Sequence, residues 1–112
     1  MNEQKLINLK LRGKSLVTVL DTDIVYAEIL NRKMNVFTVQ GIMYEPVDIQ
    51  LYELYEFIDT HQFIYINRST IVNIQMIQSI HKPFLYLEGT ERRFEISRRR
   101  YSEVRRAYRS LT

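Results

Sequence analysis

The sequence predicts a mostly β protein with one helix near mid-chain and a second at the C-terminus. Three observations carry that prediction. The 112 residues are rich in β-branched and aromatic side chains, including eight Tyr and five Phe, while only three Gly and two Pro loosen the chain. Most apolar residues fall in short runs, alternating or continuous, that end at turn-forming residues. Helical spacing recurs in only two places, after Asp48 and after Ser97.

Leu6 to Arg12 alternates, with Ile7, Leu9 and Leu11 on one face and Asn8, Lys10 and Arg12 on the other, and Gly13-Lys14 ends the strand. Ser15 to Leu20 reads as the second strand, Ile24 to Leu30 as the third and Asn35 to Val39 as the fourth. The acids of Asp21-Thr22-Asp23 would suit a metal or a catalytic pair, but turn chemistry accounts for them. Asn31-Arg32-Lys33-Met34 is a basic hairpin connection, a place where a rigid sheet often carries binding groups. Gln40-Gly41 turns the chain, and Ile42 to Val47 returns with Pro46 marking an edge or a strand end.

Asp48 is expected to cap a helix that buries Leu51, Leu54, Tyr55 and Ile58. Glu53, Glu56 and Asp59 leave its other side acidic, which suits packing better than DNA contact, and Thr60-His61-Gln62 ends it. Phe63 to Ile66 is a strand, and Asn67-Arg68-Ser69-Thr70 interrupts the apolar pattern before Ile71-Val72. All four polar residues can donate hydrogen bonds to phosphate or base edges, and equally they can satisfy a solvated turn. Asn73 can start one helical turn over Ile74 to Met76. Ile77 to Lys82 and Phe84 to Leu87 are strands split by Pro83, Glu88-Gly89-Thr90-Glu91 is a hairpin turn, and Arg93 to Ile96 is the return strand. Ser97 is expected to cap the last helix, with Tyr101, Val104, Tyr108 and Leu111 on one face.

Charge is concentrated at the C-terminal end. Residues 92–112 carry eight of the sixteen basic residues against Glu95 and Glu103, a balance of +6 beside −3 over residues 1–91. Arg98, Arg99 and Arg100 would occupy the first helical turn, where the positive end of the helix dipole repels them by roughly 0.3–1 kcal/mol. An anion such as phosphate would turn that repulsion into attraction; a solvated basic face is the plainer account of the same run. The absence of Cys removes disulfides, thiolate zinc sites and a cysteine nucleophile. No apolar run approaches the roughly 20 residues of a membrane span, and Met1-Asn2-Glu3-Gln4 is unlike a secretory leader, so a cytoplasmic location is expected. No repeat or linker is visible, and residues 1–112 are expected to form one domain.

Three ordered motifs resemble the LytTR family of DNA-binding domains. The central one is Phe63-Ile64-Tyr65-Ile66-Asn67-Arg68-Ser69-Thr70-Ile71-Val72-Asn73, followed by Ile77 and Ile80. Asp23-Ile24-Val25-Tyr26-Ala27-Glu28 lies upstream, and Phe94-Glu95-Ile96-Ser97-Arg98-Arg99 downstream, at family spacing. The resemblance implies about ten short strands in small antiparallel sheets with one or two helices. It also implies loops inserted into the major groove of promoter DNA, with bending of the duplex and tandem or dimeric copies on paired sites. By position, DNA contacts would fall on Arg32 and Lys33, on Asn67, Arg68 and Ser69, and on Arg98 and Arg99; Arg100 is added from its charge. One departure is Ile29-Leu30 before Asn31, where the family usually has a small or polar residue leading to an aromatic. A receiver domain, common in the family, has no room in this chain. By analogy with stand-alone members, a small membrane protein is an expected regulatory partner.

The leading expectation is therefore a sequence-specific transcription regulator, without cofactor or metal. The alternative is a protein-interaction module of the same fold that does not bind DNA. An enzyme is disfavoured, since His61 and His81 lack any accompanying metal-ligand, phosphate-loop or nucleophile motif.

Overall fold

A five-stranded antiparallel sheet divides the hydrophobic core in two in the computed structural model, which describes residues 4–58 and 61–111. Its spatial order is β5-β4-β3-β7-β6, from Met43–Tyr44, Lys33–Thr38, Ile24–Leu30, Thr70–Asn73 and Phe63–Asn67 respectively. The central strand β3 is buried on both faces, which explains its almost unbroken apolar sequence Ile24-Val25-Tyr26-Ala27. A register shift against β4 between Ile24 and Tyr26 lets Val25 and Tyr26 both serve the same core cluster, while Ile24 and Ala27 serve the other.

On one face lie the two-stranded sheet of β1 (Leu6–Lys10) and β2 (Leu16–Leu20) and the helix α1 (Leu51–Phe57). Ile7, Leu9, Val19, Leu51, Leu54 and Ile58 close that half of the core. On the other face lie the sheet β10-β9-β8, from Arg93–Glu95, Phe84–Leu87 and Ile77–His81, and the helix α2 (Tyr101–Arg109). Val104, fully buried, anchors α2 against Leu85, Leu87, Phe94 and Ile96 in this second cluster. Burying a side chain of that kind stabilises the fold by about 1.5–3 kcal/mol. Asn73 closes its own sheet and starts the expected turn over Ile74–Met76. Its side chain donates to the Ile24 carbonyl at 3.0 Å and accepts from the Gln75 N–H at 3.0 Å.

Several boundaries differ from the sequence reading, each for a local reason. The fourth strand begins at Lys33, so the first hairpin tip shrinks to Asn31-Arg32. The return strand stops at Tyr44, because the chain then crosses to the other sheet, where Leu11 bridges Pro46 and the Val47 N–H donates to the Lys10 carbonyl at 2.7 Å. Asp48 sits outside the helix at φ 61° and pairs with Lys10; Gln50 takes the cap, its N–H donating to the Glu53 carboxylate at 2.8 Å. The expected acid Asp59 and helix end at Thr60 lie outside the described residues. Leu111 follows the last helical residue, Arg109, and is exposed rather than packed. No helix among the described residues is long and apolar enough to cross a membrane.

Candidate nucleic-acid interface

Antiparallel pairing brings two hairpin tips to the same end of the central sheet. Strand β3 pairs with β4 through Leu30 and Lys33, and with β7 through Glu28 and Thr70. The tips Asn31-Arg32 and Arg68-Ser69 are therefore neighbours, and the Ile29 N–H donates to the Ser69 carbonyl at 2.9 Å. Strand β6 extends through Asn67, so the expected four-residue interruption is a two-residue tip, with Asn67 and Thr70 paired beneath it.

A third segment is tied to the second. The Ser97 N–H donates to the Ile66 carbonyl at 2.9 Å, and the Asn67 side-chain amide donates to the Glu95 carbonyl at 2.9 Å. The Asn67 side-chain oxygen meanwhile accepts from the Ser69 N–H at 2.9 Å. One asparagine thus shapes its own turn and fastens it to the stretch that leads into Arg98–Arg100. That stretch differs from expectation. The three arginines form a 3-10 turn ahead of α2, the Ser97 side chain makes no capping bond, and the Arg100 N–H donates to the Ser97 carbonyl at 3.0 Å. The first turn of the α-helix then holds Glu103, an acid, while Arg100 takes its N-cap position, so the arginine run still stands at the positive end of the helix dipole.

The second and third segments border one groove of about 1080 Å³. Asn67, Arg68, Ser69, Arg99 and Arg100 line it, whereas Arg98 does not. Arg32 and Lys33 line a neighbouring cleft with Arg12 and Glu45, and Ile29 borders both spaces. Lys33 and Arg12 each reach Glu45 at 3.6 Å, in half-exposed pairs that solvent weakens. Arg68 and Arg99 are exposed and form no ion pair with any described residue. Arg100 is more committed: its guanidinium lies 5.3 Å from the Tyr65 ring centre and 3.6 Å from Glu103.

A profile of the LytTr DNA-binding domain family matches residues 14–109, a span that holds all three segments. The chain belongs to that family. It is similar to the LytTr DNA-binding domain of a Bacillus cereus protein described as a methyl-accepting/DNA response regulator. That likeness has a TM-score of 0.76 at 22% identity and covers 95% of this chain and 97% of that one, so it speaks to the fold. No curated protein matches the chain. The expected architecture of small antiparallel sheets with a mid-chain and a C-terminal helix is the one observed.

The floor of the groove in this LytTr chain holds a pair that the motifs did not announce. Glu28, buried on β3, accepts two bonds from Arg92, at 2.8 and 3.1 Å, and Arg92 also donates to the Tyr26 hydroxyl at 3.2 Å. Its guanidinium stacks 4.6 Å from the Phe94 ring centre. The bonds to Glu28 push the Arg92 pKa still higher, and burial raises that of Tyr26. Arg93 lines the groove as well and lies 4.0 Å from the Phe84 ring centre. Five arginines and three glutamates line the groove, so it stays cationic once Arg92 has neutralised Glu28. Among the described residues, no group of His, Asp and Glu is placed to hold a metal ion.

The sequence places Arg93 in a strand and marks Arg92 only as the start of the basic stretch, because the partner of Arg92 is 64 positions away. The one available signal was the acid Glu28 at the end of an otherwise apolar, doubly buried strand. A buried carboxylate demands a partner, though the sequence does not say which.

Proposed function

We propose that this chain is a sequence-specific transcription regulator whose loops enter the major groove of duplex DNA. The observation that carries the reading is the hydrogen-bonded chain Ile29–Ser69, Ser69–Asn67 and Asn67–Glu95, which holds Arg68 and Arg99 on one groove with no carboxylate paired to either. Arg68, at the hairpin tip, is assigned to a base edge, since a guanidinium can bond a guanine in two places. Arg99, with Arg98 and Arg100 beside it, is assigned to phosphates, which set affinity and register. Arg32 and Lys33 extend the cationic surface along the duplex. Asn67 and Ser69 stand beside Arg68, and Asn67 retains one amide hydrogen for an incoming acceptor.

The test is binding to duplexes selected from a random pool, compared with unselected DNA, at two salt concentrations. Affinity should fall steeply with salt, each neutralised phosphate adding about 0.9 to the logarithmic slope. Arg68→Ala should lose about 1–3 kcal/mol on selected duplexes and far less on unselected ones. Equal losses on both would remove Arg68 from base reading.

A protein-interaction module without DNA binding is the second reading. It is favoured by Val39, Ile42 and Met43, exposed together at the β4–β5 edge of the sheet. Absence of DNA binding even at low salt would decide for it.

A further inference from the structure

Leu30 is an apolar side chain in a cationic place. It is 47% exposed at the last position of β3, and it lines the arginine groove beside Arg68. Strand alternation puts it on the same face as Tyr26 and Glu28, opposite its neighbour Ile29. Ile29 is accounted for, because it packs against the β1–β2 half of the core. Leu30 packs into neither core cluster. Eight other large apolar side chains are also exposed among the described residues, but none of them lines this groove. Nothing inside the fold accounts for a leucine here, and a polar residue would serve a hairpin end better.

We propose that Leu30 reads the 5-methyl group of thymine in the major groove, between the bases or phosphates reached by the two hairpin tips. This rests on the DNA-binding reading above. The chemistry is selective: among the groups that bases present in the major groove, the thymine methyl is the apolar one, and the rest are hydrogen-bond donors and acceptors. Both tips flanking Leu30 carry an arginine, Arg32 on one side and Arg68 on the other. A duplex edge held by those cations would cover Leu30, and a polar base edge against it would lose hydration without gaining a bond. A methyl group there gains burial instead. A single leucine among arginines is also a poor seat for an apolar protein surface, which needs a contiguous patch.

The experiment replaces thymine with deoxyuridine, position by position, in duplexes selected by the full chain. That exchange removes the methyl and leaves every hydrogen-bonding group in place. At one or two positions near the base read by Arg68, binding should weaken about fourfold, the effect of one methyl group left unburied. Leu30→Ala and Leu30→Asn should both bind thymine and deoxyuridine duplexes alike at those positions. Their side chain is half exposed and outside the core, so both variants should fold, and unchanged circular dichroism and melting would verify it. Wild-type binding indifferent to deoxyuridine everywhere, or the same fourfold penalty persisting in the Leu30 variants, overturns the proposal and leaves DNA binding intact. Failure to select any duplex overturns the functional reading itself, and this inference with it.

Discussion

Two hairpin tips stand side by side at one end of the central sheet, yet they are held by different means. At Asn31-Arg32 both residues have positive φ, 54° and 66°, as a two-residue type I′ turn requires. The second of those positions favours glycine, and an arginine occupies it. At Arg68-Ser69 neither residue has positive φ, and the turn is braced by the Asn67 side chain, which also reaches across to Glu95. The first tip places its cation by backbone geometry alone. The second does so through a bond to another element, so its position and that of Arg98–Arg100 are linked. The difference suggests that one arginine is an independent contact and the other belongs to a unit.

Beneath both tips lies the Glu28–Arg92 pair, and breaking it should have the largest effect. Arg92→Ala would leave a carboxylate with about 10% side-chain exposure without its partner. Removing one member of a buried pair costs roughly 3–5 kcal/mol; the 43% exposure of Arg92 lowers the expectation to about 2–3 kcal/mol. Denaturant unfolding would measure it. The double variant Glu28→Met with Arg92→Met should recover most of the loss, because two apolar side chains of similar length need no partner. A loss below 1 kcal/mol in the single variant, on the order of a surface pair, would mean that solvent already screens this carboxylate.

The brace at Asn67 comes next. Asn67→Asp keeps an acceptor for the Ser69 N–H but replaces the donor to Glu95 with a second acceptor facing a carbonyl. The expected loss is about 0.5–1.5 kcal/mol of stability, the net worth of a hydrogen bond that solvent can reach. Its more telling consequence is in binding. In a double-mutant cycle on selected DNA, Arg68→Ala and Arg99→Ala should be non-additive in the native chain and additive once Asn67 is changed. If the two arginines are already additive with Asn67 in place, the linkage between the second and third segments has no energetic content.

Much of this was legible before any coordinates. Strands β3, β9 and the turn after Asn73 follow directly from their residues, because period and punctuation act over four or five positions. The LytTR resemblance rests on the same local patterns. What stayed hidden depends on partners far along the chain. Glu28 and Arg92 are separated by 64 positions, Asn67 and Glu95 by 28, and neither pairing leaves a periodic trace. The caps were legible only in part. Asp48 favours a cap but stands two residues ahead of the one that Gln50 takes, in an exposed ion pair with Lys10. Ser97 does take the cap position, of the 3-10 turn that leads into α2, though without a side-chain bond. The arginine run was visible as charge, while its separation into Arg99 and Arg100 on the groove and Arg98 off it needed the 3-10 geometry.

The smallest expected effect bears most directly on the two tips. Arg32 holds φ 66°, a conformation that disfavours residues with a Cβ, and nothing but its own turn requires it there. Arg32→Gly restores the residue that a type I′ turn prefers at its second position. Relief of the backbone strain is offset by the greater freedom of glycine in the unfolded chain, leaving a net gain of a few tenths to about 1 kcal/mol. DNA binding should move the other way, weakening on all sequences with the salt slope reduced by about one unit if Arg32 meets a phosphate. A variant that folds better and binds worse would show that the chain keeps a locally unfavourable residue for its charge. If the first tip is an independent contact, the Arg32 and Arg68 effects on binding should add to within about 0.5 kcal/mol. Strong coupling between them would erase the distinction between the tips and extend the linked unit across the whole end of the sheet.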